Sequence, residues 1–309
     1  MFSVLDMFTI GVGPSSSHTV GPMCAAQAFA SSLEESGAVS RVGRIRVVLY
    51  GSLSLTGLGH GTDRAILAGL EGNVPATVDT DYLLSVRERC AHDGTIHVNG
   101  TNAIAYDDDG DMVFDRWKRL APHPNGMRFQ AFDAQGNIID EQVWYSIGGG
   151  FIRRGRIDDA LISNHEQTPA SSQSPEDSGN DETAEYGDGV PYPFVSCDGL
   201  IDLCRKHHLS IADVVWANET ARRSPQEVRD RLTRIWNVMS HCIDAGCASA
   251  TPTLPGGLDV PRRAPMMYRR LAANSDVLRR DRRISSALES SDSAWVALFA
   301  MSVSEENAG

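Results

Sequence analysis

Residues 127–147 read MRFQAFDAQGNIIDEQVWYSI, and their pattern of apolar and polar residues indicates the fold class. Apolar and polar residues alternate before a DAQG tetrapeptide, and a second strand-like run follows it. Alternation with a period of two predicts half-buried strands, and the short polar connection predicts an antiparallel hairpin. Three upstream segments, IHVNG, NAIAYDD and DMVFDRW, share this period from about residue 96. DDDGD at 107–111 is then a hairpin turn between two of these strands.

Helical patterns flank the strands on both sides. On the amino-terminal side, the spacing predicts helices over 22–35 and 62–71 and a strand over 44–50. On the carboxyl-terminal side, Ser210 with Asp213 and Ser224 with Glu227 form capping-box patterns, and Pro225 occupies a first helical position. Apolar periodicity predicts further helices over 225–245, 264–273, 276–289 and 292–303. The chain is therefore predicted to have an α+β domain with an antiparallel sheet, followed by an all-α domain.

A compositional break separates these two parts at residues 165–190. This segment contains seven carboxylates, no Lys or Arg, and almost no residue able to pack in a core. Such a segment cannot offset its conformational entropy by burial, so we expect a flexible acidic linker. The predicted domains are residues 1–164 and 191–309.

Composition excludes several classes of function. The formal net charge of −12 argues against nucleic acid and against an anionic membrane surface as partners. No apolar run reaches the roughly 20 residues of a membrane-spanning helix, and the amino terminus lacks a basic segment typical of signal peptides. Six cysteines without a CxxC pair do not indicate a disulfide scaffold. We expect a cytoplasmic protein.

The first candidate site is GPSSSHTVGP, residues 13–22, at the start of the first predicted helix. Small hydroxyls before a helix can simply cap it. Together with free backbone N–H groups and the positive end of the helix dipole, they can also bind a small anion. One hydroxyl suffices for capping, whereas this segment has four hydroxyls and His18. A Ser–His hydrolase is a weaker interpretation, because the chain contains no G-x-S-x-G elbow.

Two other motifs are candidates. GSLSLTGLGHGTD, residues 51–63, follows a strand and places His60 between two glycines that allow close approach to a ligand. It is not a G-x-G-x-x-G fingerprint, so a dinucleotide site is not indicated. LPGGLDVPRRA, residues 254–264, contains Arg262 and Arg263, which could bind a carboxylate bidentately or form salt bridges at a helix start.

These motifs together resemble one family. The bacterial iron–sulfur-dependent L-serine dehydratases have segments similar to SVLDMFTIGVGPSSSHTVGPM, LTGLGHGTDRA and LPGGLDVPRRA. The opening of that family's α domain resembles PYPF with IDLCRKHHLSIADVVWANE. The resemblance spans essentially the whole chain. It implies a β domain, an all-α catalytic domain, a [4Fe–4S] cluster as Lewis acid, and conversion of L-serine to pyruvate and ammonia in the cytoplasm.

The resemblance also implies roles for individual residues. Ser15, Ser16, Ser17 and Thr19 are expected to bind substrate, and His18 or His60 is the candidate catalytic residue for proton transfer or for holding the carboxylate. No cysteine of this chain matches the family's three cluster ligands, so no metal ligand is assigned. The family sequence continues beyond the part that resembles residues 303–309, and the cluster cysteines lie in that continuation. Asp259 stands where the family often has a basic residue.

Two readings of the chain follow. In the first, it is an L-serine dehydratase whose cluster-binding part is absent, so the α domain is incomplete and the chain alone is inactive. In the second, it is an inactive remnant or a non-catalytic module that binds an amino acid. A homodimer is a possible assembly in either case.

Overall fold

The computed structural model describes residues 3–164, 189–254 and 260–274. Nine α-helices and nine strands lie in these ranges, besides short 3-10 and π-helical turns. The helices are α1 (Gly21–Glu35), α2 (Gly51–Thr56), α3 (Thr62–Leu70), α4 (Thr80–Asp93), α5 (Asp108–Asp111), α6 (Cys197–His207), α7 (Ile211–Thr220), α8 (Pro225–Ala248) and α9 (Ala264–Asn274). The strands are β1 (Arg44–Tyr50), β2 (Thr95–Val98), β3 (Asn102–Ala105), β4 (Met112–Asp115), β5 (Lys118–Leu120), β6 (Gly126–Phe132), β7 (Ile138–Gly148), β8 (Phe151–Arg154) and β9 (Leu161–Ser163).

Seven of the strands form one mostly antiparallel sheet in the order β2-β3-β1-β6-β7-β8, with β4 also paired to β1. β6 and β7 are the hairpin predicted around DAQG, and their register runs from Gly126 opposite Tyr145 to Phe132 opposite Ile138. β5 and β9 form a separate antiparallel pair. The prediction of an α+β fold with an antiparallel sheet is confirmed in its main part.

The predicted hairpin turn at DDDGD is wrong. β3 and β4 both pair in parallel with β1. They lie one after the other along the same edge of β1, because β6 occupies its other edge. The chain between them forms the short helix α5. Its acidic residues form ion pairs, because Asp111 is buried against Arg44 and Asp108 binds Arg87. Polar composition alone indicated a turn, whereas these carboxylates hold a helical connection.

The main core lies between the sheet and α1, α3 and α4. Residues of β1 alternate between the two faces of the sheet, so that Ile45, Val47 and Leu49 join this core. At its centre the rings of Phe29 and Phe129 stack with centroids 5.3 Å apart. A smaller cluster on the opposite face contains Val48, Tyr50, Leu120, Val143 and Tyr145.

Most helix predictions are confirmed. The helices predicted over 22–35, 62–71, 225–245 and 264–273 correspond to α1, α3, α8 and α9. The capping box of Ser210 and Asp213 is complete, and Ser224 accepts a hydrogen bond from the Glu227 N–H. The helices predicted over 276–289 and 292–303 lie outside the described residues, as do residues 165–188 of the expected linker.

The described residues divide into two compact units. One contains residues 10–164, 240–254 and 260–274, and the other contains residues 3–9 and 189–239. In the second unit, the buried Glu219 carboxylate accepts hydrogen bonds from Ser3 Oγ (2.7 Å) and Val4 N (2.8 Å) and pairs with Arg223. The division into domains at 164 and 191 stays a prediction. Within the described ranges, no helix has both the length and the apolar character needed to cross a bilayer.

Candidate active site

The SSSHT segment forms one π-helical turn, Ser16–Val20, that leads directly into α1. Ser15 caps this turn in an extended conformation, and its Oγ accepts a hydrogen bond from the His18 N–H at 3.2 Å. In return, the Ser15 N–H donates to Thr19 Oγ1 at 3.2 Å. Ser15 and Thr19 therefore fix the shape of the turn. Ser16 lies on its exposed side.

His18 is held between two serine hydroxyls. Its Nδ1 lies 2.9 Å from Ser17 Oγ, and its Nε2 lies 3.0 Å from Ser52 Oγ in the first turn of α2. A neutral imidazole has one donor and one acceptor nitrogen, so one serine donates and the other accepts. Burial lowers the pKa of His18, and His60 lowers it further, while a backbone hydrogen bond with Ser52 acts in the opposite direction. At neutral pH, His18 is therefore the uncharged imidazole.

His60 lies on a single 3-10 turn, Gly57–His60, between α2 and α3. Its Nδ1 lies 2.9 Å from the carbonyl oxygen of Thr56. A carbonyl oxygen only accepts, so Nδ1 carries the proton, and Nε2 of the neutral ring has a free lone pair. The residue after His60 is Gly61, which precedes the first residue of α3 and has a φ of 63° that suits glycine.

Three buried hydroxyls connect the two histidine segments and the sheet. Thr19 Oγ1 donates to the carbonyl oxygen of His60 at 2.8 Å, and Thr62 Oγ1 donates to that of His18. Ser146, near the end of β7, donates to the carbonyl oxygen of Ser17 at 2.7 Å. A side chain at Gly21 would collide with Ser146 Oγ, so the start of α1 must approach β7 closely there. These contacts fix the backbone on which both imidazoles are placed.

The structure thus brings together Ser15, Ser17, His18, Thr19 and His60 from two distant segments, with the His18 and His60 ring centroids 4.9 Å apart. Sequence reasoning missed the three polar residues that connect them, Ser52, Thr62 and Ser146. Ser52 and Thr62 lie inside the glycine-rich motif at 51–63, so their proximity to His60 was a usable signal. Ser146 gave none, because a serine in a strand is not distinctive.

An ion-pair network anchors α3 immediately after His60. Asp63 is 3% exposed and pairs with Arg87 of α4, which also binds Asp108 of α5 through Nε and Nη2. Tyr106 donates a hydrogen bond to Asp108 at 2.8 Å. Arg87 is therefore shared by two carboxylates, and it joins the first turn of α3 to two neighbouring helices.

The LPGGLDVPRRA motif lies apart in sequence, and its central residues 255–259, with Asp259, fall outside the described part. Its flanks pair as an antiparallel bridge between Thr253 and Pro261, supported by the hydrogen bond from Arg262 N to Pro252 O at 2.8 Å. Within the described ranges, Nε and Nη1 of Arg262 are buried without a hydrogen-bond partner. Both interpretations of Arg262 and Arg263, salt bridges at a helix start or a bidentate carboxylate contact, stay predictions.

Comparison with known proteins gives the family. Residues 3–156 match the family model of the serine dehydratase beta chain, and residues 206–309 match that of the serine dehydratase alpha chain. The chain belongs to the L-serine dehydratase family. An L-serine dehydratase of Streptomyces coelicolor is 40% identical over 306 residues, which are 99% of this chain and 60% of the relative.

Two further relatives extend the comparison. L-serine dehydratase 1 of Escherichia coli is 38% identical over 312 residues, covering 100% of this chain and 61% of the relative. An L-serine dehydratase of Helicobacter pylori is 34% identical over 311 residues, covering 99% of this chain and 60% of the relative. The chain thus spans about 60% of the length of these members of the family.

The family resemblance implies an iron–sulfur cluster, and the cysteines of this chain can be tested against it. All six lie in the described ranges, where none of them forms a disulfide bond. Cys90 is buried, and burial, with a smaller contribution from Glu71, raises the pKa of its thiol to about 12. Burial also raises the pKa of Cys24. Across the described ranges, no three His, Cys, Asp or Glu residues converge as a metal site. The described residues therefore do not fit a three-thiolate cluster.

Proposed function

We propose that this chain supplies the substrate-binding and proton-transfer residues of an L-serine dehydratase, an enzyme that eliminates water from L-serine to give pyruvate and ammonia. Membership of the family supports the reaction. The site is supported by the proximity of His18, in the turn that leads into α1, to His60, on the 3-10 turn before α3. The hydrogen bond from His60 Nδ1 to Thr56 O carries the assignment of roles, because it leaves Nε2 as the proton acceptor.

His60 is the general base in this proposal. Elimination begins with removal of the Cα proton of L-serine, which requires an unprotonated nitrogen within reach of that carbon. In the neutral ring of His60, the hydrogen bond from Nδ1 to Thr56 O leaves Nε2 as the unprotonated nitrogen, and the 3-10 turn that carries it is only partly buried. Both nitrogens of His18 are already hydrogen-bonded to serines, so His18 is less suited to accept a proton.

The substrate carboxylate is assigned to the start of the helix that runs from Ser16 through α1. The first backbone N–H groups of a helix have no partner inside it, and the helix dipole favours an anion there. The exposed Ser16 and the Ser17 hydroxyl add donors beside these N–H groups. Ser15 and Thr19 act indirectly, because their side chains shape the turn and hold the His60 backbone. Neutral His18 orients the Ser17 hydroxyl.

The proposed reaction is an elimination of water followed by hydrolysis of an imine. His60 Nε2 takes the Cα proton, and the electron pair forms the Cα–Cβ double bond. The Cβ–O bond breaks, and the leaving hydroxyl takes a proton from solvent to become water. His60 returns its proton to solvent. The 2-aminoacrylate tautomerises to an imine, and water hydrolyses the imine to pyruvate and ammonia. The residues of this chain supply the base and the anion site for these steps.

We extend the proposal to a [4Fe–4S] cofactor, to a cytoplasmic location and to amino-acid degradation that yields pyruvate for gluconeogenesis. The family resemblance supports the cofactor, and six cysteines that form no disulfide bond within the described ranges suit a reducing compartment. Because the described cysteines do not converge, we assign no ligand and no reaction step to the cluster.

Titration of the chain with L-serine, followed by NMR of its imidazole and backbone N–H groups, tests the site without turnover. We expect shifts at His60, Ser16 and Ser17 with L-serine, and weaker shifts with L-serine amide, which lacks the carboxylate. Ser16→Ala with Ser17→Ala should weaken binding, whereas exposed His92→Gln in α4 should not. Shifts elsewhere, or equal binding of the amide, would overturn the carboxylate assignment.

The reaction is tested with the chain joined to the carboxyl-terminal region of the Streptomyces coelicolor relative. We expect serine-dependent pyruvate formation, and a loss of roughly 100-fold or more in kcat for His60→Gln, which is typical of a missing general base. His92→Gln is the matched control. Serine binding by the chain without turnover by the joined protein would favour the amino-acid-binding module instead.

A further inference from the structure

A third histidine, His123, lies in the connection between β5 and β6. His123 stands between Pro122 and Pro124 in the sequence APHPN. Its Nδ1 lies 3.1 Å from the backbone N of Asn125. A backbone N–H only donates, so Nδ1 is the unprotonated nitrogen of His123. This hydrogen bond closes the turn through Pro124.

The carbonyl oxygen of Pro124 is held against the start of α2. It accepts a hydrogen bond from the Ser52 N–H at 2.9 Å. Gly51 has a φ of 57°, and a Cβ there would collide with that carbonyl oxygen, so the approach depends on glycine. Ser52 is the residue whose Oγ contacts His18 Nε2. The Pro124 carbonyl oxygen therefore fixes the backbone of a direct partner of His18.

Asn125 is held in the same way against β7. Its carbonyl oxygen accepts from the Ser146 N–H at 3.1 Å, and its side-chain amide donates to the Ser146 carbonyl oxygen at 3.1 Å. Ser146 in turn donates to the carbonyl oxygen of Ser17. One five-residue connection thus contacts both residues that hold the His18 turn, Ser52 and Ser146.

The surroundings of His123 keep its ring in the form that this turn needs. Burial lowers the pKa of His123, and the positive charge of Arg153 lowers it further. The ring packs against Tyr145, with centroids 6.1 Å apart. Protonation of Nδ1 would replace the accepted hydrogen bond with repulsion between two N–H groups.

We propose that His123 is a positioning residue of the site: its Nδ1 holds the Pro124–Asn125 turn, which places Ser52 and Ser146 and, through them, His18. This role deepens the proposed dehydratase function and rests on it for its consequence in catalysis. The geometry itself belongs to residues 17–146 of this chain and is measurable without turnover.

The test compares three substitutions of His123 in the chain. Asn places an acceptor near the position of Nδ1, Gln places its amide near the position of Nε2, and Ala removes both. The readout is the NMR titration of His18, whose pKa is lowered from the usual 6.5 in the intact protein. We expect His123→Ala and His123→Gln to bring the pKa of His18 back towards 6.5, and His123→Asn to preserve the lowered pKa.

A His18 titration that is unchanged in His123→Ala would overturn the proposal. Preservation of the lowered His18 pKa by His123→Gln rather than by His123→Asn would also overturn it, and so would equal His18 pKa values in these two variants. In either result the His18 pKa would not depend on an acceptor at the Nδ1 position. Where the Ala variant does not fold, the Asn and Gln comparison decides. His92→Ala is the control for removal of an exposed histidine. Because serine turnover is not measured, failure of the dehydratase proposal leaves this result readable.

Discussion

The imidazole rings of His18 and His60 lie with their centroids 4.9 Å apart and their planes tilted by 41°. His18 is a neutral ring held by serines on both nitrogens, whereas among the described residues the His60 ring is hydrogen-bonded through Nδ1 alone. Two residues of the same type thus have different roles because their hydrogen-bond partners differ. His18 is a fixed part of the site, and His60 has the nitrogen that is available for chemistry.

Replacing His60 should change the titration of His18. The electrostatic influence of His60 lowers the pKa of His18, in addition to the larger effect of burial. In His60→Gln we expect the pKa of His18 to rise but to stay below 6.5, because burial remains. NMR titration of the His18 imidazole measures this shift, with His92→Gln as control. A pKa of His18 that falls or does not move would contradict the coupling of the two rings.

The Asp63–Arg87 pair should be important for stability. Asp63 is 3% exposed, and one of its carboxylate oxygens has no hydrogen-bond partner within the described ranges, so Arg87 supplies its counter-charge. Arg87→Met leaves a buried carboxylate without compensation, and we expect a loss of about 3 kcal/mol in the free energy of unfolding. Urea denaturation of the chain measures this loss.

Arg156→Met is the matched control for this prediction. Arg156 pairs with Asp158, but both side chains are more than two-thirds exposed, at 79% and 71%. Water screens an exposed ion pair, so it contributes little to stability, and this variant should unfold near the wild-type urea concentration. Equal losses in the free energy of unfolding of the two arginine variants would show that the loss does not depend on the burial of Asp63.

Stability should decrease as the pH falls below 6.5. The pKa values of His18 and His123 are both lowered from 6.5 in the folded chain, by burial first and by His60 and Arg153 second. Below 6.5, the unfolded state therefore binds more protons than the folded state at these two positions. Their contribution to stability is complete above 6.5 and is lost as the pH falls through their folded pKa values.

Urea denaturation at a series of pH values between about 7.5 and 5 measures this dependence, in a range where carboxylates of ordinary pKa remain charged. In His123→Asn the histidine part of the slope should be smaller, because one of the two groups no longer titrates. His92→Gln should leave the slope unchanged. A free energy of unfolding that stays flat or rises as the pH falls would show that neither ring is held neutral.

Regular patterns made most elements of the fold predictable. The period of two in β6 and the DAQG turn predicted the β6–β7 hairpin, because one face of those strands is buried and the other is not. The helix α4 was missed although Asp79 caps it and Gly94 ends it in a left-handed conformation. Its buried residues are only Leu83, Val86 and Cys90, so its apolar face is narrow and its period weak.

The site was predictable where its residues are adjacent in sequence and not where strands bring them together. His18 and His60 stood out because unusual residue types lie beside glycines in two short motifs. Ser146 and His123 did not, since their roles come from contacts between distant segments. β7 meets the π-helical turn through Ser146, and the β5–β6 connection meets α2 and β7. Pairing between distant strands follows from the whole sheet, and a local pattern does not reveal it.

The six cysteines of this chain are not arranged to hold a [4Fe–4S] cluster within the described ranges. A site-differentiated [4Fe–4S] cluster needs thiolates that converge on one point. Burial keeps Cys90 and Cys24 in the thiol form, since it raises the pKa of both. Cys197 and Cys204 lie at the first and eighth positions of α6, and Cys242 and Cys247 lie five positions apart on α8. None of these pairs has a third cysteine beside it within the described ranges.

We therefore expect the chain of residues 1–309, after anaerobic treatment with iron and sulfide, to retain no stoichiometric cluster and to form no pyruvate from L-serine. Iron and sulfide analysis after gel filtration measures the first outcome, and a coupled pyruvate assay measures the second. The chain joined to the carboxyl-terminal region of a relative should gain both properties under the same treatment. Cluster retention and turnover by residues 1–309 alone would require three of these six thiols to meet, and single Cys→Ser substitutions would then identify which three.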